Sequence, residues 1–165
     1  AYDRDTKTMK ELFQRAAKHK GISFVEVYAN CVIFNDGAFD LYTKKDTRDE
    51  YTVRLEHGKP LIFGDDSDKG IKLDGFKPVV VNLNDGKHSV DDLLVHDEKD
   101  TTLAFILANM SHEPSLPRPM GVFLDIDRPS YDQKVTDQIE YETKKPGAYD
   151  LQSLMRGDDY WEIKE

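Results

Sequence analysis

Apolar residues recur at helical spacing near the amino terminus, at Met9, Leu12, Phe13 and Ala16, and predict an amphipathic helix over residues 6 to 20. Thr8 and Glu11 fit the capping-box pattern and Gly21 supplies a stop. The grammar then changes. Ile22-Ser23-Phe24-Val25-Glu26-Val27-Tyr28 is nearly all apolar and rich in branched and aromatic side chains, as expected of a strand covered on both faces. A helix leading into such a strand predicts an α/β layer. No later run combines this two-sided character with a crossover helix, so the other strands of a parallel sheet are expected upstream of Ala1. The chain begins with Ala rather than Met and opens directly into a helix, which we read as a piece of a longer protein.

The middle of the chain alternates. Tyr51, Val53 and Leu55 precede a break at His57-Gly58-Lys59, after which Leu61-Ile62-Phe63 resumes, a pattern that predicts a hairpin. The polar stretch Gly64 to Lys69 separates it from Ile71 to Leu73 and from Phe76 to Leu83, whose Val79-Val80-Val81 core predicts another strand. Asp74-Gly75 and Asp85-Gly86 read as turn dipeptides, and the whole as a small antiparallel unit. Further on, Val90 to Val95 predicts a short helix and Thr101 to Met110 a longer one. Pro114, Pro117 and Pro119 mark an extended connector before a short strand at Gly121-Val122-Phe123-Leu124. Pro129 opens a helix from Ser130 to Lys144, and the tail from Tyr149 to Ile163 is amphipathic.

Composition narrows the function. A net charge of -9 over 165 residues would repel a phosphate backbone and argues against nucleic acid as partner, while leaving room for a basic protein. The sequence holds no apolar run of the roughly 18 residues that a membrane helix needs and no leader-like start, so a cytoplasmic, soluble chain with no membrane partner is expected. The single cysteine excludes an intrachain disulfide. By itself it cannot make a Cys-rich metal site.

Several charged clusters invite a chemical reading and have a simpler one. Asp65, Asp66 and Asp68 lack the glycine and closing Glu of a calcium loop in register, and read as a solvated loop. His96-Asp97-Glu98 lacks the second histidine of a zinc helix and reads as a surface turn. Asp125 and Asp127 share one face at strand spacing, as a strand end facing water would place them. Cys31 stands just past the carboxyl end of the predicted two-sided strand, the edge at which ligands collect in open α/β sheets. Amid Val32, Ile33 and Phe34 it equally fits a small buried hydrophobe.

Ser23-Phe24-Val25-Glu26-Val27 followed by Asn30-Cys31-Val32-Ile33-Phe34-Asn35-Asp36-Gly37 resembles the cysteine segment that ends the thiamine-diphosphate domain of 2-oxoacid:ferredoxin oxidoreductase beta subunits. Leu94-Val95-His96-Asp97-Glu98, Gly121-Val122-Phe123 and Arg128-Pro129-Ser130-Tyr131-Asp132 are similar to the carboxy-terminal extension of the 2-oxoglutarate type. The resemblance runs from about Lys10 to Gln138. It implies that Cys31 is the fourth ligand of a [4Fe-4S] cluster whose other three cysteines lie in the amino-terminal half, and that Asn35 sits where cluster and cofactor meet. The Gly-Asp-Gly segment and downstream Asn that hold the diphosphate and Mg²⁺ in that family have no counterpart here.

The fold class so implied is α/β: the end of a thiamine-diphosphate-binding parallel-sheet domain over residues 1–43, then a small α+β extension with antiparallel strands over 44–165, a subunit-contact region. The parent enzyme would oxidatively decarboxylate a 2-oxoacid, 2-oxoglutarate by the type of extension, to acyl-CoA and CO2. Its expected partners are an alpha subunit, ferredoxin, the 2-oxoacid and coenzyme A, and this chain alone would be inactive. The contrasting reading is a non-catalytic interaction module in which Cys31 is a core residue. A thiamine enzyme without a cluster is a third.

Overall fold

The computed structural model describes residues 1–145, 150–157 and 159–163. Among them, in chain order, α1 spans Thr6–Lys18, α2 Asp40–Thr43, α3 Arg48–Tyr51, β1 Thr52–Leu55, β2 Ile62–Phe63, β3 Lys69–Asp74, β4 Lys77–Asn82, α4 Thr101–Asn109, β5 Arg118–Gly121, α5 Tyr131–Thr143 and α6 Leu151–Arg156. Short 3-10 turns occupy Val90–Asp92 and Met110–His112. Two compact units result, Ala1–Asp127 and Arg128–Glu165. The sequence boundary after Thr43 lies within the first.

The first unit is α/β with an antiparallel extension. β1 and β5 pair in parallel, Thr52 opposite Arg118 and Leu55 opposite Gly121. β2, β3 and β4 form the antiparallel sheet in that order, and the β3–β4 hairpin closes at Asp74 and Lys77 with Gly75 at φ +61 supplying the turn. Val53 and Leu55 alternate inward with Leu61, Phe63 and Ile71, and Leu103, Leu107 and Met110 cover them from α4 and the turn after it. Asp100 fixes the start of α4 by accepting from the backbone N–H groups of Thr102 and Leu103 at 2.8 and 3.1 Å.

Four elements depart from the sequence reading. The expected hairpin over residues 51–63 does not form. Its turn is present, with Lys59 N–H donating to Glu56 at 3.0 Å, but Gly58 N–H donates to His96 and His96 N–H to Lys59, so the returning chain pairs with residues 94–96 and leaves β1 to β5. β5 in turn occupies Arg118–Gly121 rather than 121–124, and includes Pro119 opposite Val53. A proline is tolerated there because in a two-stranded sheet its missing N–H can face the open edge.

The two-sided strand over residues 22–28 is likewise not formed. Only Tyr28 makes a bridge, parallel to Tyr2, through Tyr28 N–H to Ala1 at 2.8 Å and Asp3 N–H to Tyr28 at 2.9 Å. Ile22 and Phe24 are 95% and 90% exposed. A strand needs a neighbour along its length to complete its ladder, and among the described residues only Ala1 to Asp3 lie alongside, at the Glu26–Tyr28 end. Helix α1 forms where expected but is capped by Asp5, whose carboxylate accepts from Thr8 N–H at 3.0 Å, instead of by a Thr8–Glu11 box.

In the second unit α5 starts at Ser130, whose hydroxyl accepts from Gln133 N–H at 3.4 Å. It carries Gln133–Asp137 and Glu140–Lys144 pairs at one-turn spacing and buries none of its side chains. Asp150 caps α6. Tyr149, where the amphipathic tail was expected to begin, lies outside the described residues. No described helix is long and apolar enough to cross a membrane.

Gly121 ends β5 at φ +142, and a Cβ there would stand 2.7 Å from the Leu55 carbonyl oxygen. Gly75 has a positive φ in open space. Gly121→Ala is expected to cost about 3 kcal/mol in a denaturant titration, strain plus clash, and Gly75→Ala about 1 kcal/mol from strain alone. Equal costs would mean that the β1–β5 approach is looser than described.

Candidate functional site

Cys31 lies in a tight loop beyond Tyr28. Asn35 N–H donates to the Cys31 carbonyl at 2.9 Å, and Asn30 closes the loop from outside, its Oδ1 accepting from Gly37 N–H and its Nδ2 donating to Asp36, each at 2.9 Å. The thiol is exposed. The backbone N–H groups of Phe34, then Ile33 and Asn35, favour the thiolate and hold the thiol below its ordinary pKa against a small opposing effect of burial. The reading of Cys31 as a core hydrophobe is thereby overturned: Val32, Ile33 and Phe34 do not enclose it but are themselves 73%, 81% and 87% exposed. Asn35 is exposed beside it.

The base of this loop is held by aromatic rings. Tyr28 stacks on Phe39 with centroids 4.6 Å apart, and Arg118 lies over Tyr42 at 4.8 Å and over Tyr28 at 5.9 Å. Arg118 also donates to the Tyr42 hydroxyl at 3.2 Å and to the Ser111 carbonyl at 2.9 Å. Burial is the first cause that raises the Tyr28 pKa, so the ring system stays uncharged. The Cys31 loop is thus seated on β5.

A second cluster anchors α1. Arg15 donates to Glu98 at 2.6 Å and to Asp125 at 2.9 Å through Nε, and His19 Nδ1 stands 3.2 Å from Asp125. The hydrogen bonds from Arg15 are the main reason that the Asp125 carboxyl is held below its ordinary pKa; burial opposes, and the charges of Arg15, Lys99 and His19 add. Asp125 is therefore an ion-pair partner rather than a water-facing strand end. Nor is His96-Asp97-Glu98 a surface turn. His96 and Glu98 are buried, Asp125 N–H donates to the Glu98 carbonyl at 2.8 Å, and His96 Nε2–H donates to the Val122 carbonyl at 2.8 Å. His96 Nδ1 has no partner among the described residues.

Between these clusters runs an apolar groove of about 490 Å³, lined by Leu12 and Ala16 of α1, Phe24, Leu107 of α4, Phe123 and Ile126. Arg15 and His19 stand at its wall. Asp65 and Asp66 are exposed, away from these residues in the loop before β3. Among the described residues no group of three or more His, Cys, Asp or Glu side chains could hold a metal ion.

At the level of class, the sequence aligns with a subunit of a 2-oxoacid oxidoreductase, in agreement with the resemblance read from the cysteine segment, and is consistent with a carboxy-terminal part of a beta subunit. The particular relative is the 2-oxoglutarate oxidoreductase subunit KorB of Mycobacterium tuberculosis (strain ATCC 25618 / H37Rv), 32% identical over 167 residues. The alignment covers 99% of this chain and 44% of that protein, so the chain spans less than half of its relative's length. No family model matches the chain. No solved structure matches it.

Sequence reasoning located Cys31 and Asn35 but missed what supports them. Arg118 is 90 residues from Tyr28 in sequence and sat in an expected connector; nothing in its neighbours marks it. Arg15, His19, Glu98 and Asp125 come together only through the tertiary fold.

Asp125→Asn removes the charge that Arg15 and His19 share, and is expected to destabilise the chain by about 1 kcal/mol at pH 7. The folded-state carboxyl titrates below its unfolded value, so this contribution is present above about pH 4 and is lost as the pH falls through the lower folded value. Urea midpoints of the two proteins should therefore differ at pH 7 and converge as the pH falls below about 4. A constant difference across that range would exclude the ion pair as its source.

Proposed function

We propose that this chain is the cluster-closing part of the beta subunit of a 2-oxoacid:ferredoxin oxidoreductase, with 2-oxoglutarate as substrate. The observation that carries the reading is the exposed Cys31 thiol in a loop whose backbone N–H groups favour the thiolate. A buried structural cysteine has neither property. The similarity to a 2-oxoglutarate oxidoreductase subunit gives the reaction class.

In that reading Cys31 supplies one of the four thiolates of a [4Fe-4S] cluster, and three come from the part of the subunit outside this chain. When bound, the cluster supplies one-electron storage between thiamine-diphosphate chemistry and ferredoxin. The overall reaction takes a 2-oxoacid and coenzyme A to acyl-CoA, CO2 and a proton, and two electrons leave singly on two ferredoxins. Cys31 is the metal ligand and Asn35 a contact for the cofactor. Asn30, Tyr28 and Arg118 orient the loop by the contacts described above. The chain by itself lacks three cluster ligands and the Mg²⁺-diphosphate segment, so it is inactive alone. Residues 1–43 belong to the thiamine-diphosphate domain, whose cofactor and Mg²⁺ are held mostly by the remainder, and 44–165 to a region that contacts the alpha subunit.

Co-production with the remainder of the subunit, without oxygen, tests the reading. The wild-type chain should yield a brown complex with about four irons. Cys31→Ser should lose most of the iron and the visible absorbance while still forming the complex. Asn35→Ala should keep the iron and bind thiamine diphosphate more weakly by calorimetry. A colourless wild-type complex, or a Cys31→Ser complex with undiminished iron, refutes the assignment.

A further inference from the structure

The acidity of the chain is reversed in one element. Residues 4–20 carry six cations, Arg4, Lys7, Lys10, Arg15, Lys18 and Lys20, against Asp5 and Glu11, in a chain whose net charge is -9. Arg15 is engaged by Glu98 and Asp125. The other five are exposed, and among the described residues none of them makes an ion pair. At about 100° per residue Lys7, Lys10 and Lys18, with Gln14 between them, stay within about 80° of one face of α1, a stripe about 16 Å long. Leu12 and Ala16, on the opposite side, line the apolar groove, so the helix turns its basic face outward. The stripe begins near the cysteine loop. Arg4 follows shortly after Tyr2, whose bridge partner Tyr28 shortly precedes Cys31. The reach of the chain keeps the Arg4 and Cys31 Cα atoms within about 25 Å, less than the diameter of a small domain. Arg4 also lies close enough to Lys44, at the end of α2, for the two charges to repel.

We propose that the basic stripe of α1 is the docking surface for the electron acceptor, a small protein with an acidic face. The partner rests on the oxidoreductase reading above, in which electrons leave singly through the cluster that Cys31 closes. Charge complementarity selects the occupant. Unpaired cations gathered on one helix of an otherwise acidic chain steer an acidic carrier to that helix, because the remaining surface repels it. A nucleic-acid duplex, with its dense charge, is repelled by the chain as a whole. A lipid surface would need the apolar face of the helix, and Leu12 and Ala16 are turned into the groove instead. Exposed charges add little affinity but much orientation and rate, which suits a carrier that gains one electron, as the reduced cluster loses it, and then leaves.

The test uses this chain co-produced with the remainder of the enzyme, and an acidic [4Fe-4S] ferredoxin as probe. One variant reverses the stripe, Lys7→Glu with Lys10→Glu and Lys18→Glu. A control makes the same change of net charge at exposed lysines elsewhere, Lys59→Glu with Lys77→Glu and Lys87→Glu. By calorimetry at about 50 mM salt the stripe variant should bind the ferredoxin at least about tenfold more weakly than wild type, and the control within about threefold of it. In turnover the stripe variant should raise the KM for ferredoxin by a similar factor, leave kcat within about twofold, and reduce the small acceptor methyl viologen as wild type does. The wild-type affinity should fall with added salt and that of the stripe variant much less. Equal losses in the stripe and control variants, a stripe variant that no longer assembles with the other subunits, or tighter binding of DNA or of phosphatidylserine vesicles than of ferredoxin that the stripe variant abolishes, each overturn the proposal. The iron content separates the two readings. A colourless wild-type complex that binds ferredoxin through the stripe keeps the docking surface and discards the cluster. A brown complex whose ferredoxin affinity ignores the stripe does the reverse.

Discussion

The parallel contact between β1 and β5 is the constraint on which the first unit depends. It joins residues 52–55 to residues 118–121 across a crossover that contains the whole antiparallel sheet and α4. Closing a loop of that length costs entropy that the four-residue ladder alone cannot offset; the inward faces of Val53 and Leu55 against Leu61, Leu107 and Met110 supply the rest. The close approach at Gly121 then sets the direction in which the chain leaves the sheet, along the groove to Asp125.

From that contact the two polar systems follow. β5 carries Arg118 to Tyr28 and Tyr42, beneath the cysteine loop, and the segment after β5 carries Asp125 to Arg15 and His19 on α1. Helix α1 buries none of its own residues, so it is positioned by charge as much as by packing. The amino-terminal 43 residues are thereby tied to the rest of the unit through side chains that are polar at both ends.

Much of this was legible in sequence wherever a local rule decides. The period of 3.6 placed α1, the apolar stretch within Thr101 to Met110 placed α4, Pro129 opening a helix at Ser130 placed α5, and Asp74-Gly75 between strand-like runs placed the β3–β4 hairpin. Partner choice was not legible. Residues 51–63 carry a hairpin pattern, yet the choice between each other and residues 94–96 and 118–121 is made by burial of Val53 and Leu61, which no local window contains. The Cys31 loop was readable from its motif, and its exposure was not: three apolar neighbours predict burial, and only the fold leaves them in solvent. His96 looked like part of a charged surface turn because its burial depends on Val122, distant in sequence.

The uncovered apolar residues at Ile22, Phe24 and Val32 to Phe34 also bear on how such a chain survives before it meets anything else. A sticky patch beside open backbone groups pits productive encounter against clumping, and the second process grows faster with concentration than first-order folding does. The acidic surface works against clumping by mutual repulsion, and salt weakens that protection. Ionic strength therefore bears directly on how well this chain resists clumping.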